Sequence, residues 1–221
     1  MNRKTKWIIS GIFLALFLLW IVLLKTVDVR PVGPAGTSIG FATVNAGFQE
    51  AFTFNKLLYT VTKLLGVLTI AVAGAFAIFG VVQWIQRRKL LRVDLEIRNL
   101  AVLYVVFAAL YVFFEKVIIN YRPMIMPDET DPEASFPSTH TMLVCVVMGS
   151  TILLLKKYIH NDVLRLVLQI VSALIIVVMV VGRLLCGVHW LTDIIGGVLI
   201  SAALVSAYAA MIDKGRKKKR R

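Results

Sequence analysis

Residues 163–182 read VLRLVLQIVSALIIVVMVVG, a stretch interrupted by one charge, Arg165. A helix needs roughly 20 mostly apolar residues to cross the hydrocarbon core of a bilayer, and this stretch is long enough. Five more stretches qualify, at about 7–26, 57–85, 99–119, 139–155 and 190–211. The one at 139–155 is short, and the one at 57–85 is long enough to tilt or to extend into water. Between the third and fourth spans, Pro123, Pro127, Pro132 and Pro137 exclude a helical connection. The expected fold is all-α, a six-transmembrane-helix bundle.

Composition agrees. The chain of 221 residues is 59% hydrophobic and only 17% charged, whereas soluble domains are nearer half apolar and a quarter charged. No linker or internal repeat divides it, so residues 1–221 form one membrane-embedded domain. The net charge of +13 lies beside apolar stretches and in the tail, at Lys214 and Arg216 to Arg221. That placement suits anionic head groups and topology signals, not nucleic acid. Cys145 and Cys186 lie in apolar sequence without paired spacing, which argues against a disulfide framework or a zinc site. The run Trp7 to Leu24 is long for a signal peptide and no cleavage site follows promptly, so it reads as a retained first span.

Orientation follows from the flanks. One set carries Arg3, Lys4, Lys6, Arg87, Arg88, Lys89, Arg92, Arg98, Lys156, Lys157, Arg165 and the tail; the other carries chiefly Arg30, Lys56, Arg122 and Arg183. The positive-inside rule puts both termini in the cytoplasm, and the loop at 120–138 and the turn near 183–189 outside. The outer segment 28–55 reads either as an exposed loop or as an interfacial amphipathic helix.

Three polar clusters share that outer side. His189 and Asp193 stand four apart, a spacing that places them on one face of a helix. The carboxylate would then accept one imidazole proton and free the other nitrogen to attack, with Arg183 as a planar fork for phosphate oxygens. A structural Arg183–Asp193 pair beside an interfacial histidine is the competing reading. In Ser135-Phe136-Pro137-Ser138-Thr139-His140, Ser138 reads as a helix N-cap. Free N–H groups there favour a phosphate, and His140 in the first turn could donate a proton to a leaving oxygen. An ordinary capped helix explains the same residues. The third cluster, Glu115-Lys116 through Arg122-Pro123, adds two cations; each alone would be an interfacial anchor. His160, beside Lys156 and Lys157, reads as a solvated loop residue. His-x-x-x-Asp has no third ligand at useful spacing for a metal.

In this order the clusters resemble the type-2 phosphatidic acid phosphatase family of membrane lipid phosphatases, including bacterial undecaprenyl-diphosphatases and phosphatidylglycerophosphatases of the B type. The family signature is Lys-x6-Arg-Pro, Pro-Ser-Gly-His and Ser-Arg-x5-His-x3-Asp. It aligns with Lys116…Arg122-Pro123, Pro137-Ser138-Thr139-His140 and Gly182-Arg183…His189…Asp193. The motifs span 115–193. Lys116 and Arg122 are one residue closer than in the signature, with Glu115 at the six-residue spacing. Thr139 replaces the glycine, and Gly182 the serine.

The resemblance implies His189 as nucleophile oriented by Asp193, and His140 as acid and then base. Lys116, Arg122, Ser138, Thr139 and Arg183 would hold the phosphate, with no metal or cofactor. The partner would be a lipid phosphate in the plasma membrane, acted on at the outer face. Undecaprenyl diphosphate is favoured, with phosphatidylglycerophosphate and phosphatidate next. The alternative is a catalytically silent lipid-binding or lipid-moving protein on the same scaffold. Oligomeric state is not legible.

Overall fold

A computed structural model describes residues 1–126 and 129–213. Pro127 and the basic tail, both used in the sequence reading, lie outside the described residues. Seven α-helices follow in order: α1 Arg3–Thr26, α2 Ala42–Ala51, α3 Lys56–Arg87, α4 Leu95–Lys116, α5 Thr139–Tyr158, α6 Asp162–Leu185 and α7 Leu191–Met211. Short 3-10 turns occupy Pro34–Gly36 and Leu90–Arg92. All but α2 are long and apolar enough to span a membrane, as expected from the sequence.

Local chemistry sets several helix starts. The side chains of Asn2, Asn55 and Asn161 accept the backbone N–H of Thr5, Leu58 and Leu164 at 2.8, 3.0 and 2.9 Å. Each satisfies a donor that the first helical turn leaves without an internal partner. At α7 a carboxylate does this work: Asp193 Oδ2 accepts the Trp190 N–H at 3.0 Å.

The bundle is built around α5 and α7. Over their most apolar windows, 50% and 44% of residues are buried, against 11% in α1, α3 and α6. The outer helices instead expose Ile78, Leu64, Val163 and similar side chains, which suits a lipid solvent. Helix α1 packs along α7, where Ser10 Oγ donates to Ala203 O at 2.9 Å. Helix α3 lies across α5 and α6. The start of α1 and the end of α7 meet through Lys6 and Asp213, 2.6 Å apart. At the opposite end, Trp20 Nε1 donates to Thr192 O at 3.0 Å. The motif loops before α5 and α7 therefore lie at the end of the bundle away from Lys6 and Asp213.

At the end near the termini, Asp94 gathers Arg87, Gln83, Lys157 and Tyr158 and so joins α3, α4 and α5. Burial alone would raise the Asp94 carboxyl, but these hydrogen bonds outweigh it and hold the group well below the usual carboxylate range.

Of the two readings of segment 28–55, the structure holds a helix, and a buttressing one. Asn45 of α2 is fully buried and donates to Gly40 O at 2.8 Å and Thr192 Oγ1 at 2.9 Å. Phe41 stacks on Trp20 with ring centroids 5.1 Å apart. Farther on, Asn55 N–H donates to Cys186 O at 3.2 Å, gripping the loop between α6 and α7.

A pair of glycines in α7 seats the loop before α5. A Cβ on Gly196 would lie 2.2 Å from Phe136 Cε2, and one on Gly197 would lie 3.0 Å from the Thr141 side chain. Phe136 is held there by Phe17, stacked at 5.8 Å, and by Phe114, edge-on at 6.0 Å. Gly196→Ala must displace that ring, and overpacking of this kind costs about 1–3 kcal/mol. The variant is expected to melt at a lower temperature than wild type in detergent; an unchanged midpoint would contradict this packing.

Candidate active site

The site forms where four chain segments meet. Residues 120–122 run antiparallel to 133–135, with Ser135 N–H donating to Asn120 O and Arg122 N–H to Glu133 O, both at 2.9 Å. Trp190 Nε1 ties this pair to the α7 start by donating to Tyr121 O at 2.6 Å. The Ser138 N–H donates to Asp193 O at 3.1 Å, which brings the starts of α5 and α7 side by side. Gly187, with φ +71°, lets the α6–α7 loop pass against residues 52–54, where a Cβ would lie 2.7 Å from Phe52 O.

His189 is 3% exposed and Asp193 fully buried. Their nearest atoms, Nδ1 and Oδ2, are 3.8 Å apart, too far for a hydrogen bond. Ser135 fills the gap: its Oγ lies 3.0 Å from His189 Nδ1 and donates to Asp193 Oδ2 at 2.5 Å. The one-face argument from i,i+4 spacing does not apply, because His189 precedes α7 and stands in its approach loop. Asn120 Nδ2 reaches the other carboxylate oxygen at 3.4 Å.

Arg183 decides the tautomer. Its Nη2 is 3.3 Å from His189 Nε2, and a guanidinium has only donors to offer. Nε2 must therefore present its lone pair. The ring proton sits on Nδ1 and points to Ser135, whose own proton goes to Asp193. Burial, followed by the positive charges of Arg122 and Arg183, holds the His189 imidazole well below the ordinary histidine range. It is neutral at neutral pH, as a nitrogen nucleophile must be.

Several polar atoms of the same motifs have nothing to bind. Arg183 Nε and Nη1, Ser138 Oγ and His140 Nδ1 are buried without a hydrogen-bond partner. Ser138 occupies the N-cap position of α5, as expected, but its hydroxyl caps nothing. Each such group costs about 1–3 kcal/mol if left unpaired, so the cluster fits an oxygen-rich ligand. Arg183 itself is 1% exposed, lies at the favourable C-terminal end of α6, and rests over the Tyr59 ring at 5.5 Å.

A narrow cleft opens on His189, lined also by Glu115, Arg122, Ser135 and Thr139 among others. Arg122 pairs with Glu133 at 2.9 Å. His140, Arg122, Ser138, Thr139, Arg183, His189 and Asp193 are thus brought together. Lys116, the last residue of α4, is exposed and does not line the cleft; Glu115 does. His160 is exposed beyond α5. Gly182 is explained by α3: a Cβ there would lie 2.7 Å from Thr62 Cγ2. The sequence reading did not identify the roles of Ser135 and Asn120, nor the contribution of α3.

Residues 116–217 match the family model described as the PAP2 superfamily. The ordered motifs and the site they build lie within or beside that span. Over this span the chain resembles the PAP2 superfamily, the type-2 phosphatidic acid phosphatase family. Its fold is similar to the crystal structure described as the first transmembrane PAP2-type phosphatidylglycerolphosphate phosphatase from Bacillus subtilis. That similarity has a TM-score of 0.64 at 18% identity, over 91% of this chain and 94% of the other. At this identity the likeness speaks to the fold. No curated protein sequence matches the chain. The six apolar helices, with the likeness to a transmembrane structure, support a multi-pass membrane protein.

The depressed His189 pKa has a consequence for stability. The unfolded chain takes up a proton near the ordinary value of 6.5, and the folded one does so only well below it. The histidine's contribution is therefore complete above about pH 6.5 and is lost as pH falls. Between about pH 7.5 and about pH 5.5, the unfolding midpoint of wild type should fall more than that of His189→Gln. Equal falls would show that His189 is not held neutral.

Proposed function

We propose that this protein is a lipid phosphatase acting through a phosphohistidine on His189. The observation that carries the reading is the His189 Nε2 lone pair, set beside an Arg183 whose Nε and Nη1 are buried without partners. A phosphoryl group bound there has a nucleophile on one side and ligands for its oxygens on the others.

In the first step Nε2 attacks phosphorus, the bond from phosphorus to the leaving oxygen breaks, and His140 gives that oxygen a proton. The Nδ1 proton stays on the ring, and its positive charge is stabilised through Ser135 by Asp193. Arg183, Arg122, the Ser138 hydroxyl and N–H groups at the start of α5 neutralise charge on the equatorial oxygens. In the second step His140 takes a proton from water, which attacks phosphorus and releases inorganic phosphate. The cations supply the electrophilic clamp, so no metal is required by this scheme.

The apolar surround of the bundle favours a lipid leaving group. The site lies at the end away from Lys6 and Asp213, and the Lys/Arg distribution assigns their end to the cytoplasm; the reaction therefore belongs to the outer face of the plasma membrane. Undecaprenyl diphosphate, phosphatidylglycerophosphate and phosphatidate are the substrates to compare, the second also because the similar Bacillus structure bears that activity in its description.

Purified protein in detergent with excess EDTA is expected to release phosphate from at least one of these lipids, and His189→Ala to release none. Release from none of the three by wild type would favour a silent lipid-binding protein. Activity retained in His189→Ala would mean that another group attacks. Ser135→Ala leaves Asp193 one donor short and His189 unoriented, a loss of about 1–3 kcal/mol. It should lower turnover by about 10-fold or more with little change in KM, and wild-type turnover in that variant would remove Ser135 from the account.

A further inference from the structure

A cation on α3 stands apart from the three motifs. Tyr59 lies under Arg183, Thr62 meets Gly182, and Gly66 packs on His140, where a Cβ would be 3.2 Å from the imidazole Cδ2. Positions 59, 62 and 66 share one face of a helix, and Lys63, four residues after Tyr59 and three before Gly66, lies on its edge. Lys63 is therefore carried by the helix that packs on His140, on the side of the site where the leaving group departs. Lys63 is exposed and forms no ion pair among the described residues. A lysine within an apolar span needs a purpose.

We propose that Lys63 binds the second phosphate of a lipid diphosphate, the phosphate that leaves with the lipid. The inference rests on the phosphatase reading above. His189 attacks the terminal phosphorus, and the bond from that phosphorus to the bridging oxygen breaks. The lipid monophosphate departs with its new proton from His140 and its charge against the Lys63 ammonium. A lipid monophosphate has an alcohol as leaving group and offers Lys63 nothing at that position. The placement also offsets a local loss: the cleft carries Glu115 where the family signature has a lysine, so cationic charge is supplied from α3 instead of from the end of α4.

The test uses two substrates with one tail, farnesyl diphosphate and farnesyl monophosphate, and the full chain in detergent. Lys63→Gln is expected to lower kcat/KM for the diphosphate by about 10- to 100-fold, the range for losing a charge-assisted hydrogen bond. The monophosphate value should stay within about 3-fold, and Lys63→Arg should restore most of the diphosphate activity. Lys56→Gln, which removes a charge two turns away on the same helix, should change neither. Equal loss on both substrates, or no loss on either, would overturn the proposal while leaving the phosphatase reading intact. So would a wild type that hydrolyses only the monophosphate. If wild type hydrolyses only the diphosphate, loss in Lys63→Gln with recovery in Lys63→Arg supports the proposal, and loss without recovery overturns it. A wild type inert toward both, and toward the three lipids above, removes the phosphatase reading and this proposal together.

Discussion

A fully buried carboxylate is the constraint on which the arrangement depends. Asp193 sits at the start of α7, out of reach of water, and a charge there is tolerated only with donors around it. Ser135 supplies one from the loop before α5, the Trp190 N–H another from the α7 approach, and Asn120 a third from the segment after α4. Satisfying Asp193 thus draws together the parts of the chain that carry the motifs. The same bonds aim the His189 ring, because Ser135 cannot serve Asp193 without also standing beside Nδ1.

Close packing makes that convergence possible. Gly196 and Gly197 leave room for Phe136 and Thr141, and Gly182 admits Thr62 of α3. Small residues at helix contacts are how membrane helices approach closely without a hydrophobic driving force between them. Segment 28–55 acts from above: Asn45 holds the first turn of α7, and residues 52–55 press on the loop that carries His189. Rigid neighbours on both sides hold an imidazole that lies outside any helix.

Much of this was legible in the sequence. Hydropathy placed all six spans within about four residues of their observed ends, because span length is set by the bilayer and not by packing detail. The motifs placed His140, Arg122, Ser138, Thr139, Arg183, His189 and Asp193 in one neighbourhood, and the geometry unites them. Ser135 carried no such signal, since nothing in linear spacing says that a loop serine will stand between a histidine and an aspartate 54 and 58 residues away. Lys116 illustrates a different limit. On a helix one residue is about 100° of rotation, so a one-residue change of spacing moves Lys116 off the cleft-lining position, which Glu115 takes. Helix α3 had no motif at all, and its part became visible only when it was seen lying across Arg183 and His140.

The central claim is that His189 attacks through Nε2 while Nδ1 keeps its proton for Ser135. Rapid quenching under base during turnover, with mass spectrometry to locate the phosphate and phosphorus NMR to assign the nitrogen, tests this directly. Phosphate on Nε2 of His189, absent in His189→Gln, is the predicted result. Phosphate on Nδ1 of His189, or on His140, would contradict the tautomer and the division of labour between the two histidines.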